Sequence, residues 1–577
     1  GAEVSAGMGA AGSRRDDERG GAGRDGRRSG GRILVDHLRV QGVDRVFAVP
    51  GESYLPVLDA LYDTPEVALT VARHEGAAAM MAEADGKLTG RPGVAFVTRG
   101  PGATNAASGV HVAFQDSTPM LLFVGQVARG DRDREAFQEV DYRQMYGALA
   151  KWAAEVDDPA RLPEYLGRAW RTAMQGRPGP VVLALPEDML AETAEVADAA
   201  FVTPVQAHPD PAALAELRDR LARARRPLLL VGGGGWTARA GADLAAFAQA
   251  NDLPVATTFR CQDYIDNDHP CYAGDLGIAP NPALAERVRE ADLLLVVGAR
   301  LGEMTTGGYT RLRPPRPAQA LIHVHPGAEE LGRVYQPDLA IQAASPAFAA
   351  AARALAPVAD PPWAGAGAAA HAAYLAWQDP VAVPGALQLG EVMAWLRARL
   401  PPEAVICNGA GNYAGFVHRY HRFRSYRSQL APTSGSMGYG LPAAIAAKLR
   451  HPERPVLAFA GDGCLQMTGA ELATAAQAGA GVVVVVVDNG MYGTIRMHQE
   501  RQYPGRISGT ALVNPDFAAW ARACGAQAER VTQTAEAAPA VERALAAVDA
   551  SGRPALLHLS LDPEAIAPAL RLGDLGR

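Results

Sequence analysis

The 577-residue chain has five cysteines, Cys261, Cys271, Cys407, Cys464 and Cys524, spread far apart with no C-x-x-C pair. That scarcity fits neither a zinc site nor a disulfide framework and suits a reducing cytoplasm. Basic charge is lacking too: a formal net charge of -7 and a pI near 6.0 argue against a nucleic-acid partner. Long apolar runs are missing as well. The run of valines at 482–487 has strand length, whereas a membrane helix needs about 20 residues, so no membrane partner is expected. Residues 1–30 are Gly/Arg-rich and nearly devoid of large apolar side chains, which predicts a disordered tail. The tail lacks the apolar core of a secretory signal, and its acidic residues count against a transit peptide.

What is present is an ordinary globular composition, 48% hydrophobic and 20% charged, with length for three or four units. Short apolar runs alternate with Ala-rich helical stretches, the pattern of strands buried on both faces of a parallel sheet. The first unit spans 31–200. A Pro/Ala linker at 203–213 leads into a second unit at 205–355, which runs out in an Ala/Pro-rich linker at 350–373. The third spans 385–565. The expected fold is therefore α/β, three parallel-sheet domains in series, with chemistry in the loops beyond the carboxyl ends of the strands.

Two of those loops draw attention in the third unit. Asp462, in Gly461-Asp462-Gly463, follows the strand "VLAFA", and Asn489 follows the valine run 27 residues later, the length of one βαβ crossover. A carboxylate and an amide oxygen brought to one sheet edge suit Mg²⁺ and a diphosphate, with the glycines allowing close backbone approach and a helix from near Thr468 receiving the charge. The plainer alternative is a turn in which Asp462 caps the next helix. In the first unit, "RHEGAA" places Glu75 at a strand-to-helix junction. It is either a first-turn glutamate favoured by the helix dipole or a carboxyl group with a raised pKa in an apolar pocket. His74 beside it reads as a packed or solvated imidazole. "RGPGATN" (99–105) is a further Gly-rich loop, and "VGGGGWTARA" (231–240) is either a weak dinucleotide signal or a plain strand-end turn.

Together these loops resemble the thiamine diphosphate-dependent enzymes, in particular the acetolactate synthase-like group. The resemblance covers about residues 31–565 and rests on "RHEGAA" (73–78), "GPGATN" (100–105), "AFQEVD" (136–141), "SMGYGLPAAIAAKL" (436–449), "GDGCLQMTGAELATA" (461–475) and "DNGMYG" (488–493), in family order. It implies pyrimidine-binding, central and diphosphate-binding domains. It implies Asp462, Asn489 and the Met491 carbonyl as Mg²⁺ ligands, and Gly411, Asn412, Tyr413, Gly461 and Gly463 around the diphosphate. Met437 matches the wedge that bends thiamine diphosphate, and the Gly435 carbonyl matches the acceptor for its amino group. Pro101 and Asn105 match residues along the pyrimidine. Glu75 matches the carboxyl group that drives deprotonation of the thiazolium carbon, and Phe137 and Gln138 match residues reaching toward it.

The implied activity is decarboxylation of a 2-keto acid, pyruvate foremost, with carboligation to a second carbonyl. A decarboxylase or lyase without carboligation is the alternative. The implied assembly is a homodimer or homotetramer with the site between subunits. Three departures bear on substrate: Val49 replaces a tyrosine, Met304 replaces an arginine linked to substrate and flavin, and His498 replaces a tryptophan that favours a larger acceptor. FAD, bound by the biosynthetic synthases, is therefore left open.

Overall fold

The computed structural model describes residues 26–576. They form three six-stranded sheets, every strand pair of which is parallel. The first sheet runs Ala68–Val71, Arg45–Ala48, Gly93–Val97, Met120–Gln126, Pro180–Pro186, Trp152–Glu155, which in chain order is 2-1-3-4-6-5. The third repeats that order with Gln429–Leu430, Val405–Asn408, Val456–Gly461, Val483–Asp488, Ala555–Ser560 and Gln527–Val531. The central sheet differs, running 3-2-1-4-5-6 from Tyr272–Leu276 through Val255–Thr258, Pro227–Val231, Leu293–Val297 and Ala320–His325 to Leu339–Gln342.

Strand order decides where ligands can sit. In the outer sheets the progression of strands across the sheet reverses between the first and third strands, opening a crevice at their carboxyl ends. In the third unit that crevice lies between the loops after Asn408 and Gly461, and in the first between those after Ala48 and Val97. The valine-rich strands are buried along both faces, as Leu457 to Ala460 and Val483 to Val487 illustrate. One apolar cluster joins the first and third units, from Ala77, Ala78 and Met81 to Tyr439, Ala443 and Ala444.

Two boundary expectations need correction. Within the tail expected over 1–30, residues 1–25 lie outside the described residues, but Arg28–Ser29 pairs with Thr193–Ala194, and Ser29 caps the helix Gly30–Val40. The Ala/Pro-rich stretch 350–373 is not a simple linker. Its end forms the start of the helix Ala366–Trp377, which packs on the central sheet's edge through Ala370 and Tyr374, with Trp363 buried just before it. Alanine is the strongest helix former, and the flanking prolines and glycines mark the helix's ends.

Burial sets the acid response. His37 lies fully buried edge-on to Trp170, and burial pushes its pKa down to about 4. Between the ordinary value of 6.5 and about 4 the unfolded imidazole takes up a proton that the folded one refuses, so stability falls as pH falls through that window. The loss reaches roughly 3 kcal/mol at pH 4 for this one group. His37→Leu should therefore narrow the drop in thermal midpoint between pH 7 and pH 5, measured by scanning calorimetry against the parent.

Candidate active site

The helix after the strand Val456–Gly461 begins at Asp462, six residues earlier than expected, and Thr468 is its last residue. Gly461, not Asp462, is its N-cap, so the capping role considered for the aspartate does not apply. The carboxylate is instead buried and held from the side. Asn514 Nδ2 donates to Asp462 Oδ2 at 2.7 Å and to Asp488 Oδ1 at 2.8 Å, while Gln466 donates to the Asn514 oxygen at 3.0 Å. Asp488 also meets His558 Nε2 at 2.7 Å. Burial, reinforced by the facing Asp488, raises the Asp462 pKa against the pull of the Asn514 bond.

The glycines on either side are explained by two tyrosine rings. A Cβ on Gly463 would lie 2.5 Å from the Tyr492 ring, and one on Gly461 would lie 3.1 Å from Tyr413. Gly461 has φ -69° and ψ 165°, so packing rather than unusual backbone geometry selects glycine there. Tyr413 is a strut: its hydroxyl accepts from Gly409 N at 2.9 Å. Asn412 is also engaged, donating to Ile566 O at 2.9 Å and accepting from Thr494 at 2.8 Å. The Asn412 and Tyr413 side chains of the 411–413 loop are thus both engaged within the protein.

Asn489 closes the neighbouring strand end. Gly490, with φ +72°, turns the chain so that Met491 bridges to Ala511 through the Gly490 carbonyl and the Tyr492 N–H, which leaves the Met491 carbonyl outside the bridge. Among the described residues no three His, Cys, Asp or Glu side chains form a metal-binding group. A cation here would draw on the Asp462 carboxylate, the Asn489 amide and the Met491 carbonyl, an all-oxygen set that suits Mg²⁺. A buried carboxylate whose hydrogen-bond partner is a neutral amide fits that demand. Met437 is half-buried against the core, and Gly435, at φ +64°, is exposed.

In the first unit Glu75 opens the helix Glu75–Thr89, which is capped by His74 Nδ1 accepting from Gly76 N at 3.0 Å. The imidazole is thus a cap. Asn105 Nδ2 donates to Glu75 Oε1 at 3.3 Å, which joins two of the expected pyrimidine-side residues. Pro101, Asn105 and Phe137 are exposed, Phe137 to 73%, so within one chain Glu75 borders an open face rather than an apolar pocket. Gln138, at φ +67°, packs on Gly100, whose N–H donates to the Tyr142 hydroxyl at 2.7 Å. Arg99 Nε steadies the same loop by donating to Phe137 O at 3.2 Å.

Several participants carried no sequence signal. Asn514 is an isolated polar residue 52 positions from its partner. Arg260 reaches from the central unit and donates to Gly409 O at 2.9 Å and Pro432 O at 2.7 Å, tying together the two loops that lead to Gly411 and Gly435.

Three family profiles match the chain in order. They are the thiamine pyrophosphate enzyme N-terminal TPP binding domain over residues 28–145, the central domain over 214–352 and the C-terminal TPP binding domain over 409–559. The chain belongs to the thiamine pyrophosphate enzyme family. It is 32% identical to the acetolactate synthase large subunit of Corynebacterium glutamicum, covering 90% of this chain and 85% of that one. It is 32% identical to the acetolactate synthase isozyme 2 large subunit of Escherichia coli, over 92% and 96%. It is 30% identical to the sulfoacetaldehyde acetyltransferase of Rhodobacter capsulatus, over 93% and 95%. This thiamine pyrophosphate enzyme is accordingly acetolactate synthase-like, with the cofactor loops in its first and third units.

The glycine run at 232–235 sits at the carboxyl end of the strand Pro227–Val231, but it is filled by protein: a Cβ on Gly234 would lie 2.2 Å from Ser117 O, and one on Gly233 would lie 1.8 Å from Gly298 O. A separate cavity in the central unit, lined by Arg300, Tyr309, His323 and Arg333, measures about 150 Å³. The strand-end-turn reading of the run accounts for these contacts.

Gly463→Ala should displace the Tyr492 ring and tilt the Asp462 loop. Cofactor affinity, read by titration calorimetry with thiamine diphosphate and Mg²⁺, is expected to fall by roughly tenfold or more, the scale of about 1–3 kcal/mol for overpacking. Gly463→Ser should do no better.

Proposed function

We propose that this enzyme uses thiamine diphosphate and Mg²⁺ to decarboxylate a 2-keto acid, pyruvate first, and joins the resulting fragment to a second carbonyl. The observation carrying this reading is the pairing of Asp462 and Asn489 at adjacent strand ends with a Glu75–Asn105 pair on the first unit. When bound, the cofactor supplies the electron sink that accepts the pair released as CO₂ leaves. Asp462, Asn489 and the Met491 carbonyl hold the cation, the Gly411 backbone and the Gly461–Gly463 turn approach the diphosphate, and Met437 and the Gly435 carbonyl orient the rings. Glu75 holds the proton exchanged with the pyrimidine ring, and Asn105 fixes the carboxyl group in place.

Such chemistry needs water excluded, yet Pro101, Asn105 and Phe137 are open in a single chain. A second copy covering this face in a two-fold dimer, or a tetramer of such dimers, supplies the enclosure. Phe137, Gln138 and His498 then border the acceptor. The similarity to a sulfoacetaldehyde acetyltransferase supports a second reading in which sulfoacetaldehyde is the donor, sulfite leaves in place of CO₂, and an acetyl group is passed to phosphate. The cysteine pattern favours a cytoplasmic setting.

Incubation with thiamine diphosphate, Mg²⁺ and a panel of 2-keto acids, and separately with sulfoacetaldehyde and phosphate, decides by product mass. Acetolactate from pyruvate supports the synthase reading, acetyl phosphate together with sulfite from sulfoacetaldehyde supports the transferase, and a free aldehyde means decarboxylation without carboligation. Failure to turn over any keto acid would sink the proposal. Glu75→Gln should keep the cofactor dissociation constant within about threefold while lowering kcat by about 10²-fold or more. Asp462→Ala should weaken Mg²⁺-dependent cofactor binding by at least about tenfold; an unchanged constant would remove it from the metal site.

A further inference from the structure

Glu471 has no role in the site as described so far, yet its side chain is fully buried and aimed at the residues that present Glu75. It opens the helix Glu471–Ala478, just beyond the end of the helix that starts at Asp462. Its Oε1 accepts from Arg73 N and from His74 N, both at 3.0 Å, although those donors lie nearly four hundred residues away in the first unit. Oε2 is 3.2 Å from Arg73 N and accepts from the Thr474 hydroxyl at 2.6 Å. The Arg73 guanidinium adds a second tie by donating to Gln477 at 2.6 Å on the same helix.

The arrangement solves a local problem. His74 is extended, with φ -142° and ψ 140°, because it is the cap of the helix that Glu75 opens. The N–H groups of residues 73 and 74 therefore have no helical or sheet partner of their own and need an outside acceptor. A carboxylate, which only accepts and can take two donors on one oxygen, meets that need with charge-assisted bonds.

We propose that Glu471 is the positioning residue for Glu75. By clamping the backbone at 73 and 74 it fixes where the helix Glu75–Thr89 begins and hence where the Glu75 carboxyl group points. The aim of that group is then set by the helix pair that also carries Asp462, so the cation loop and the ring-facing glutamate of one chain are mechanically continuous. This rests on the reading of Glu75 as the group facing the pyrimidine. No bond is made or broken by Glu471 itself.

The test uses the full-length protein with Glu471→Ala and the near-isosteric Glu471→Gln, whose amide oxygen can still accept both N–H groups. In cofactor-free protein, amide hydrogen exchange of a peptide spanning residues 69–80 should rise several-fold in the alanine variant and return toward the parent in the glutamine variant. With thiamine diphosphate and Mg²⁺ added, deuterium exchange at the thiazolium carbon should slow by about tenfold or more in Glu471→Ala. The glutamine variant should stay within about threefold of the parent, and the cofactor dissociation constant should move by less than about threefold in either. Thiazolium exchange at parental speed in Glu471→Ala would overturn the positioning role while leaving the reading of Glu75 intact. So would equal losses of cofactor affinity and exchange that glutamine does not rescue. If the alanine variant does not fold, the parent decides, because fast exchange of the Arg73 and His74 amides in the folded parent would refute the clamp. A parent protein that binds no thiamine diphosphate would overturn the underlying reading and the proposal with it.

Discussion

The docking of the first unit on the third governs everything else in this enzyme. The helix Glu75–Thr89 lies along Gly440–Arg450, and buried charge pins the contact. Lys87 donates to Asp116 at 2.8 Å, Asp116 accepts from the backbone and hydroxyl of Thr433, and Tyr439 and Thr118 both donate to Glu83. At the rim Arg450 grips Asp85 and Asp44. Removing one member of such a buried set would strand another charge without a partner, so the register between the helices is strongly fixed. Burial raises the Glu83 pKa, which eases the presence of a second carboxyl group in so small a space. Because Glu75 begins one of these helices and Met437 precedes the other, the contact fixes where one chain presents each of them.

Much of this was legible in the chain. Strands buried on both faces read as unbroken apolar runs, so the three parallel sheets could be told from periodicity alone. The Gly461-Asp462-Gly463 turn and Asn489 could be paired because one crossover has a characteristic length. The identical strand order of the outer sheets could not be read, since order depends on which edge each crossover takes.

Other features were misread or invisible for physical reasons. The helix start at Asp462 was placed late because Gly463 lowers local helix propensity, whereas the Tyr492 ring demands glycine there. The helix Ala366–Trp377 reads as linker in the sequence because its neighbours are Pro- and Gly-rich. Asn514, Arg260 and Glu471 act through partners 52, 149 and nearly 400 residues distant, and no local pattern encodes such contacts.

The glycine run at 232–235 carries a further implication. Where a nucleotide-binding protein spends such glycines on a ligand's phosphates, this chain spends them on its own backbone, letting Ser117 of the first unit and Gly298 approach without a side chain between. Because Gly234 meets Ser117 with no side chain between them, any bulkier residue there would have to part the first unit from the central one, so this short run acts as a weld between two domains.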